Sequence, residues 1–163
     1  MFSFELLNNA EQVLEQMRAR KLTLTTAESC TGGLLSALIT EIAGSSDVFT
    51  HGYITYANAA KTAMIGVSES LIHTYGAVSE PVAVAMAEGA LNTSGASISI
   101  AITGIAGPGG ATATKPVGLV HFASARVGGE TLHSVQQFSG DRATVRLQAV
   151  KAAVELVARQ ANS

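Results

Sequence analysis

Residues 21–44, KLTLTTAESCTGGLLSALITEIAG, change their hydrophobic period with almost no spacer. Residues 21–27 alternate and are rich in β-branched side chains, which predicts a short strand. Residues 32–43 carry Leu, Ile and Ala at helical spacing and predict a helix stopped by Gly44. Only Glu28, Ser29, Cys30 and Thr31 stand between the two. A strand feeding a helix this directly is the first half of a βα unit. Such units line up parallel strands beneath a helical layer.

The rest of the chain follows that lead. Leu6, Leu7, Ala10, Val13, Leu14 and Met17 share one helical face over residues 3–19. Residues 48–57 predict a second strand, with Phe49, Tyr53 and Ile54 as its bulky members. Two short helical pieces follow, over 58–68 and 68–76. Ser79 as N-cap, then Glu80 and Pro81, open a helix in 76–95. Residues 96–103 read as a buried strand that runs into a glycine loop. Residues 117–126 and 130–140 predict a hairpin turned at Gly128 and Gly129, and a last helix covers 142–158. ITEIAG (39–44) and ITGIAG (102–107) match by chance, since one closes a helix and the other follows a strand. The expected architecture is α/β: a single three-layer α/β/α domain over residues 1–163. Its sheet is mixed and mainly parallel, with a C-terminal antiparallel hairpin.

Composition excludes several classes. With 47% hydrophobic and 13% charged residues, the chain can fill a core. Aromatics are only 5% and Trp is absent, so Ala, Val, Ile and Leu must do the filling. A net charge of −2 without any basic run argues against a nucleic-acid partner. One cysteine, Cys30, excludes an intramolecular disulfide and fits a reducing, cytoplasmic location. Glu5 and Glu11 stand where a signal peptide would be basic and then apolar. Residues 89–114 carry no charge, but their Gly, Ser, Thr and Pro108 break any membrane span. His51, His73, His121 and His133 have no metal-ligand spacing, so neither a metal nor a cofactor is expected, and they read as structural or surface residues. A small apolar domain also allows a homo-oligomer.

Four stretches could carry chemistry. TTAESCTGG puts hydroxyls and a thiol at a strand's carboxyl end, where α/β proteins bind ligands. Either Ser29 or Thr31 is an ordinary N-cap, or one of these side chains is a nucleophile whose oxyanion meets helix N–H groups. Cys30 as a thiol nucleophile has no histidine near it in sequence, and a small buried residue is the simpler reading. GIAGPGG (104–110) allows close backbone approach to a phosphate or sugar, or is an ordinary loop. It is neither a P-loop nor a dinucleotide fingerprint. In YANAAK, Lys61 stands in an apolar context, where burial would ease loss of its proton. SGDR offers Asp141 as a cap and Arg142 as an anion ligand.

In this order TTAESCTGG, GYITYANAAK, GAVSEP, ITGIAGPGG, KPVG and FSGDR closely resemble the CinA C-terminal domain family, the competence/damage-inducible proteins. The resemblance runs from about Leu6 to Ala158. It implies hydrolysis of the carboxamide of nicotinamide mononucleotide (NMN), giving nicotinate mononucleotide and ammonia in pyridine nucleotide salvage. It further implies Ser29 as nucleophile and Lys61 as its base, with the amides of Cys30, Thr31, Gly32 and Gly33 as the oxyanion hole. Tyr56 and Thr103 would orient the substrate or the pair. Asn58, Gly104, Gly107 and Arg142 would bind the substrate, the last three at its ribose or phosphate. Two positions depart from the family pattern: Ala59 and Thr114 replace acidic residues. The alternative is a non-catalytic nucleotide-binding module in a competence or DNA-damage response.

Overall fold

The computed structural model describes residues 2–163. In order, the elements are α1 (Phe4–Ala19), β1 (Leu24–Glu28), α2 (Leu34–Thr40), β2 (Phe49–Ile54), α3 (Asn58–Ile65) and α4 (Glu69–Tyr75). Then come α5 (Glu80–Ser94), β3 (Ile98–Gly104), β4 (Leu119–Arg126), β5 (Leu132–Gln137) and α6 (Arg142–Ala161). The strand order is β2-β1-β3-β4-β5. β1 runs parallel to β2 and β3, β4 opposes β3, and β5 opposes β4. β4 alone therefore points the other way, and the sheet is mixed and mainly parallel, as the sequence predicts.

Period-two alternation sorts the two faces by side-chain size. Leu24, Ile98, Ile100, Ile102, Val120 and Phe122 pack with α1, α2 and α6. Ala27, Ala101, Ala123 and Ala125 face the opposite layer, where Val82, Ala83, Met86, Ala87 and Ala90 of α5 cover them. Small side chains on both sides let α5 lie close to the sheet. α3 in turn lies close to α5: a β-carbon on Gly89 would stand 2.0 Å from the Ile65 carbonyl oxygen. That contact seats α3, and with it Lys61, over the carboxyl ends of β1 and β2.

Several boundaries differ from expectation, each for a local reason. The first strand begins at Leu24 because Lys21, at φ 56°, still belongs to the turn that ends α1. α2 starts at Leu34 because Gly32 and Gly33 take φ of 58° and 95° in the turn before it. Ser79 occupies the N-cap position of α5, yet its hydroxyl donates to the Gly76 carbonyl and caps no helix amide. The last helix continues to Ala161. Among the described residues, no helix is long and apolar enough to cross a membrane, and no His, Cys, Asp and Glu cluster could hold a metal ion.

Candidate active site

Glu28 closes β1, pairing with Ile54 on one side and Ile102 on the other. One residue further, Ser29 donates its N–H to the Ile102 carbonyl at 2.9 Å. It thus stands at the sheet's carboxyl edge between Thr55 and Thr103. Alternation sends neighbouring side chains to opposite faces, Glu28 towards α2 and Ser29 towards α3.

Lys61 comes to Ser29 from the first turns of α3. It is 1% exposed. Its Nζ donates to the Thr55 carbonyl at 2.8 Å and lies 3.1 Å from Ser29 Oγ. Burial lowers the pKa of Lys61, and only the charge of a Cys30 thiolate would oppose that. The Cys30 thiol is itself pushed up to about 11, first by burial, so it is uncharged at neutral pH. In its neutral form Lys61 would keep one N–H on Thr55 and turn its lone pair to the Ser29 hydroxyl, an arrangement that can serve a base and its nucleophile. The same values make Cys30 a poor nucleophile, in line with the small buried residue the sequence suggests.

The helix cap is neither Ser29 nor Thr31. The wholly buried Glu28 carboxylate accepts from the amides of Gly33 (3.1 Å), Leu35 (3.0 Å) and Ser36 (2.8 Å), and from the Ser36 hydroxyl (2.7 Å). An anion thus already meets the positive end of α2. This narrows the expected oxyanion hole. The Gly33 amide is held by Glu28, and the Gly32 amide donates to the Ser29 carbonyl at 3.0 Å. Among the described residues, the Cys30 and Thr31 amides have no hydrogen-bond partner outside their own residues.

The remaining candidates fall into two groups. Arg142, first residue of α6, donates to the Gly107 carbonyl at 2.8 Å and to the Tyr56 hydroxyl at 2.9 Å. Three residues far apart in sequence therefore meet. Tyr56, 59% exposed, bonds to Arg142 and not to the Ser29–Lys61 pair. Thr103 is buried on the Ser29 face and donates to the Ala77 carbonyl at 2.8 Å. Gly104 and Gly107 are required by the chain's own packing: β-carbons there would come within 2.8 Å of the Leu119 carbonyl and 2.6 Å of Val117. Asn58 is exposed and lines a groove between α3 and α4 that includes neither Ser29 nor Lys61.

Sequence reasoning missed three features. Glu28 was legible only as a carboxylate before a helix. Arg146 lies one turn beyond Arg142 and donates to the Thr31 carbonyl at 2.7 Å. His121 pairs with Thr103 across β3 and β4, two strands from Ser29, or roughly 10 Å. Its Nδ1 is 3.0 Å from His133 Nε2, so its partner is another imidazole, and Lys61 remains the basic group in contact with Ser29.

Comparison with known proteins identifies the family. The nicotinamide-nucleotide amidohydrolase PncC of Escherichia coli (strain K12) is 49% identical over 160 residues, covering 98% of this chain and 97% of that protein. The protein of the same name from Enterobacter agglomerans is 50% identical over 144 residues, 88% of each chain. The crystal structure of competence/damage inducible protein CihA from Agrobacterium tumefaciens superposes with a TM-score of 0.96 at 43% identity, covering 100% of this chain and 99% of that one. The CinA C-terminal domain matches residues 7–161, so all the candidate residues lie inside it, and the chain belongs to the CinA C-terminal domain family.

Proposed function

We propose that this protein is an amidohydrolase that converts NMN to nicotinate mononucleotide and ammonia, with Ser29 as nucleophile and Lys61 as base. The observation that carries the reading is the contact between a fully buried lysine amine and the Ser29 hydroxyl, 3.1 Å apart. Relatives bearing the name nicotinamide-nucleotide amidohydrolase, at 49% identity over nearly the whole chain, supply the substrate class.

The steps follow from the groups in place. Neutral Lys61 takes the Ser29 proton as Oγ attacks the carboxamide carbon. The oxyanion that forms accepts hydrogen bonds from the Cys30 and Thr31 amides, which have no other partner among the described residues. Lys61 then returns the proton to the departing nitrogen, which leaves as ammonia. Nicotinate mononucleotide is left esterified to Ser29 Oγ. Water, deprotonated by Lys61, attacks the ester, and its proton passes back to Ser29 as the carboxylate product leaves. Arg142, already steadied by Tyr56 and Gly107, is the cation that would hold the substrate phosphate. No step calls for a metal or cofactor. Pyridine nucleotide salvage is the context that such a product fits.

The test is direct. Purified protein incubated with NMN should release ammonia and nicotinate mononucleotide in equal amounts. A folded sample that NMN stabilises against heat without turnover would sink the reading and favour a nucleotide-binding module.

A further inference from the structure

The turn that carries Ser29 is gripped from two sides. On the α2 side, the Glu28 carboxylate reaches over residues 29–32 and ties down the amides of Gly33, Leu35 and Ser36. On the α6 side, Arg146 Nη2 holds the Thr31 carbonyl, which also accepts from the Leu34 amide at 3.1 Å. Arg146 meets this turn across 115 residues of sequence. Fixing the amides beyond Gly32 and the carbonyl of Thr31 leaves little freedom to the peptide planes between them. Those planes carry the Cys30 and Thr31 N–H groups.

The arginine does not look like a stabilising contact. Its Nε is buried and has no hydrogen-bond partner among the described residues. An unpaired buried donor costs stability, and an apolar residue of similar length would avoid that cost. Glu28 also excludes an alternative. Because it fills the N-terminus of α2, a substrate anion cannot use those amides, and the free donors are left to the reacting carbonyl.

We propose that Glu28 and Arg146 are positioning residues that hold the Ser29 turn with its Cys30 and Thr31 amides aimed as the oxyanion hole, a role that rests on Ser29 being the nucleophile. Neither touches the reacting atoms. Both act through the geometry of the turn, where a displacement of about 1 Å lowers rates by roughly 100-fold.

The experiment uses the full chain and two readouts: steady-state NMN hydrolysis, and labelling of Ser29 by a fluorophosphonate, which needs the nucleophile and oxyanion hole but no nucleotide. Arg146→Met should lower kcat and the labelling rate alike, by about 100-fold, with KM changed by less than about threefold. Arg146→Lys, whose ammonium can reach the same carbonyl, should recover most of the loss. Glu28→Gln presents an amide group to helix N–H donors and should behave like Arg146→Met; should it not fold, the Arg146 pair decides alone. Wild-type kcat and labelling in Arg146→Met, whatever its melting temperature, overturn the proposal. Wild-type protein that labels at Ser29 but leaves NMN intact overturns the amidohydrolase reading alone, and the labelling ratios still test the clamp. Absence of labelling in the wild type overturns Ser29 as nucleophile and, with it, the clamp, whatever the protein does to NMN.

Discussion

The carbonyl oxygen of Ile65 stands 2.0 Å from where a β-carbon on Gly89 would be. α3 thus ends directly on the backbone of α5, and Lys61 lies one turn back from that contact. The distance between Lys61 and Ser29 is therefore set partly by the missing side chain of a residue in another helix.

Gly89→Ala tests this. Alanine favours a helix interior by up to about 1 kcal/mol over glycine. Here the added methyl would meet backbone, which cannot rotate away, and overpacking of this kind costs about 1–3 kcal/mol. The expected outcome is a small net loss of stability in urea unfolding, with kcat down by roughly 100-fold as α3 and Lys61 shift outward. A stabilised variant with wild-type kcat would show that the Lys61–Ser29 distance does not depend on this packing.

Ser29→Ala should fold as the wild type and lose at least about 1000-fold in kcat, because among the described residues no other hydroxyl touches Lys61 Nζ. Cys30→Ala should keep turnover within about threefold. The native thiol, buried and pushed up to about 11, should resist iodoacetamide at neutral pH until the chain is unfolded. Rapid alkylation of folded protein, matched by loss of activity, would move the nucleophile to Cys30.

Arg142 carries the recognition prediction. Its guanidinium is held by Gly107 and Tyr56 and makes no ion pair among the described residues. A hydrogen bond to a charged partner contributes about 1.5–3 kcal/mol, or roughly 10–100-fold in affinity. Arg142→Ala should raise KM for NMN by that factor and leave kinetics on the riboside, which lacks the phosphate, nearly unchanged. Tyr56→Phe should give a milder version of the same effect. Equal losses on both substrates would mean that Arg142 supports the loop and not the phosphate.

What the sequence discloses here depends on how local the cause is. The β1–α2 unit, the α5 start and the hairpin were legible because each is written in a few adjacent residues. Ser29 and Lys61 stand out as a candidate nucleophile and base only through motifs spread along the chain. Their contact depends on Gly89 and Ile65, which no local pattern links. The cap of α2 escaped because Glu28 sits five residues before the first amide it binds, outside the N-cap pattern that points to Ser29 or Thr31. Arg146 escaped because its partner is a backbone carbonyl, which has no sequence signature. Of the glycines in GIAGPGG, Gly104 and Gly107 approach Leu119 and Val117 so closely that packing alone accounts for them.

Lys61 itself ties function to stability. Folding buries an amine that has the Thr55 carbonyl and Ser29 hydroxyl as neighbours and, among the described residues, no salt-bridge partner. Burial lowers its pKa below the ordinary lysine value of about 10.4 kept in the unfolded chain. Between the folded and unfolded values, the unfolded chain binds more protons, so stability rises with pH through that window. Below the folded value, Lys61 is charged in both states and the whole penalty of burying the charge remains. Lys61→Met removes that penalty while keeping most of the apolar contact. The variant should be inactive yet more stable than the wild type, by about 1–3 kcal/mol near pH 6. The gap should shrink as pH rises through the window between the two values and level off above about 10.4, where the amine is neutral in both states. In the wild type, kcat/KM should climb with pH over the range in which Lys61 loses its proton, and then level. Urea unfolding of both proteins at about pH 6, 7.5 and 9 measures the gap. A variant less stable than the wild type at every pH would show that Lys61 is a structural residue and not a base held neutral at the expense of the fold.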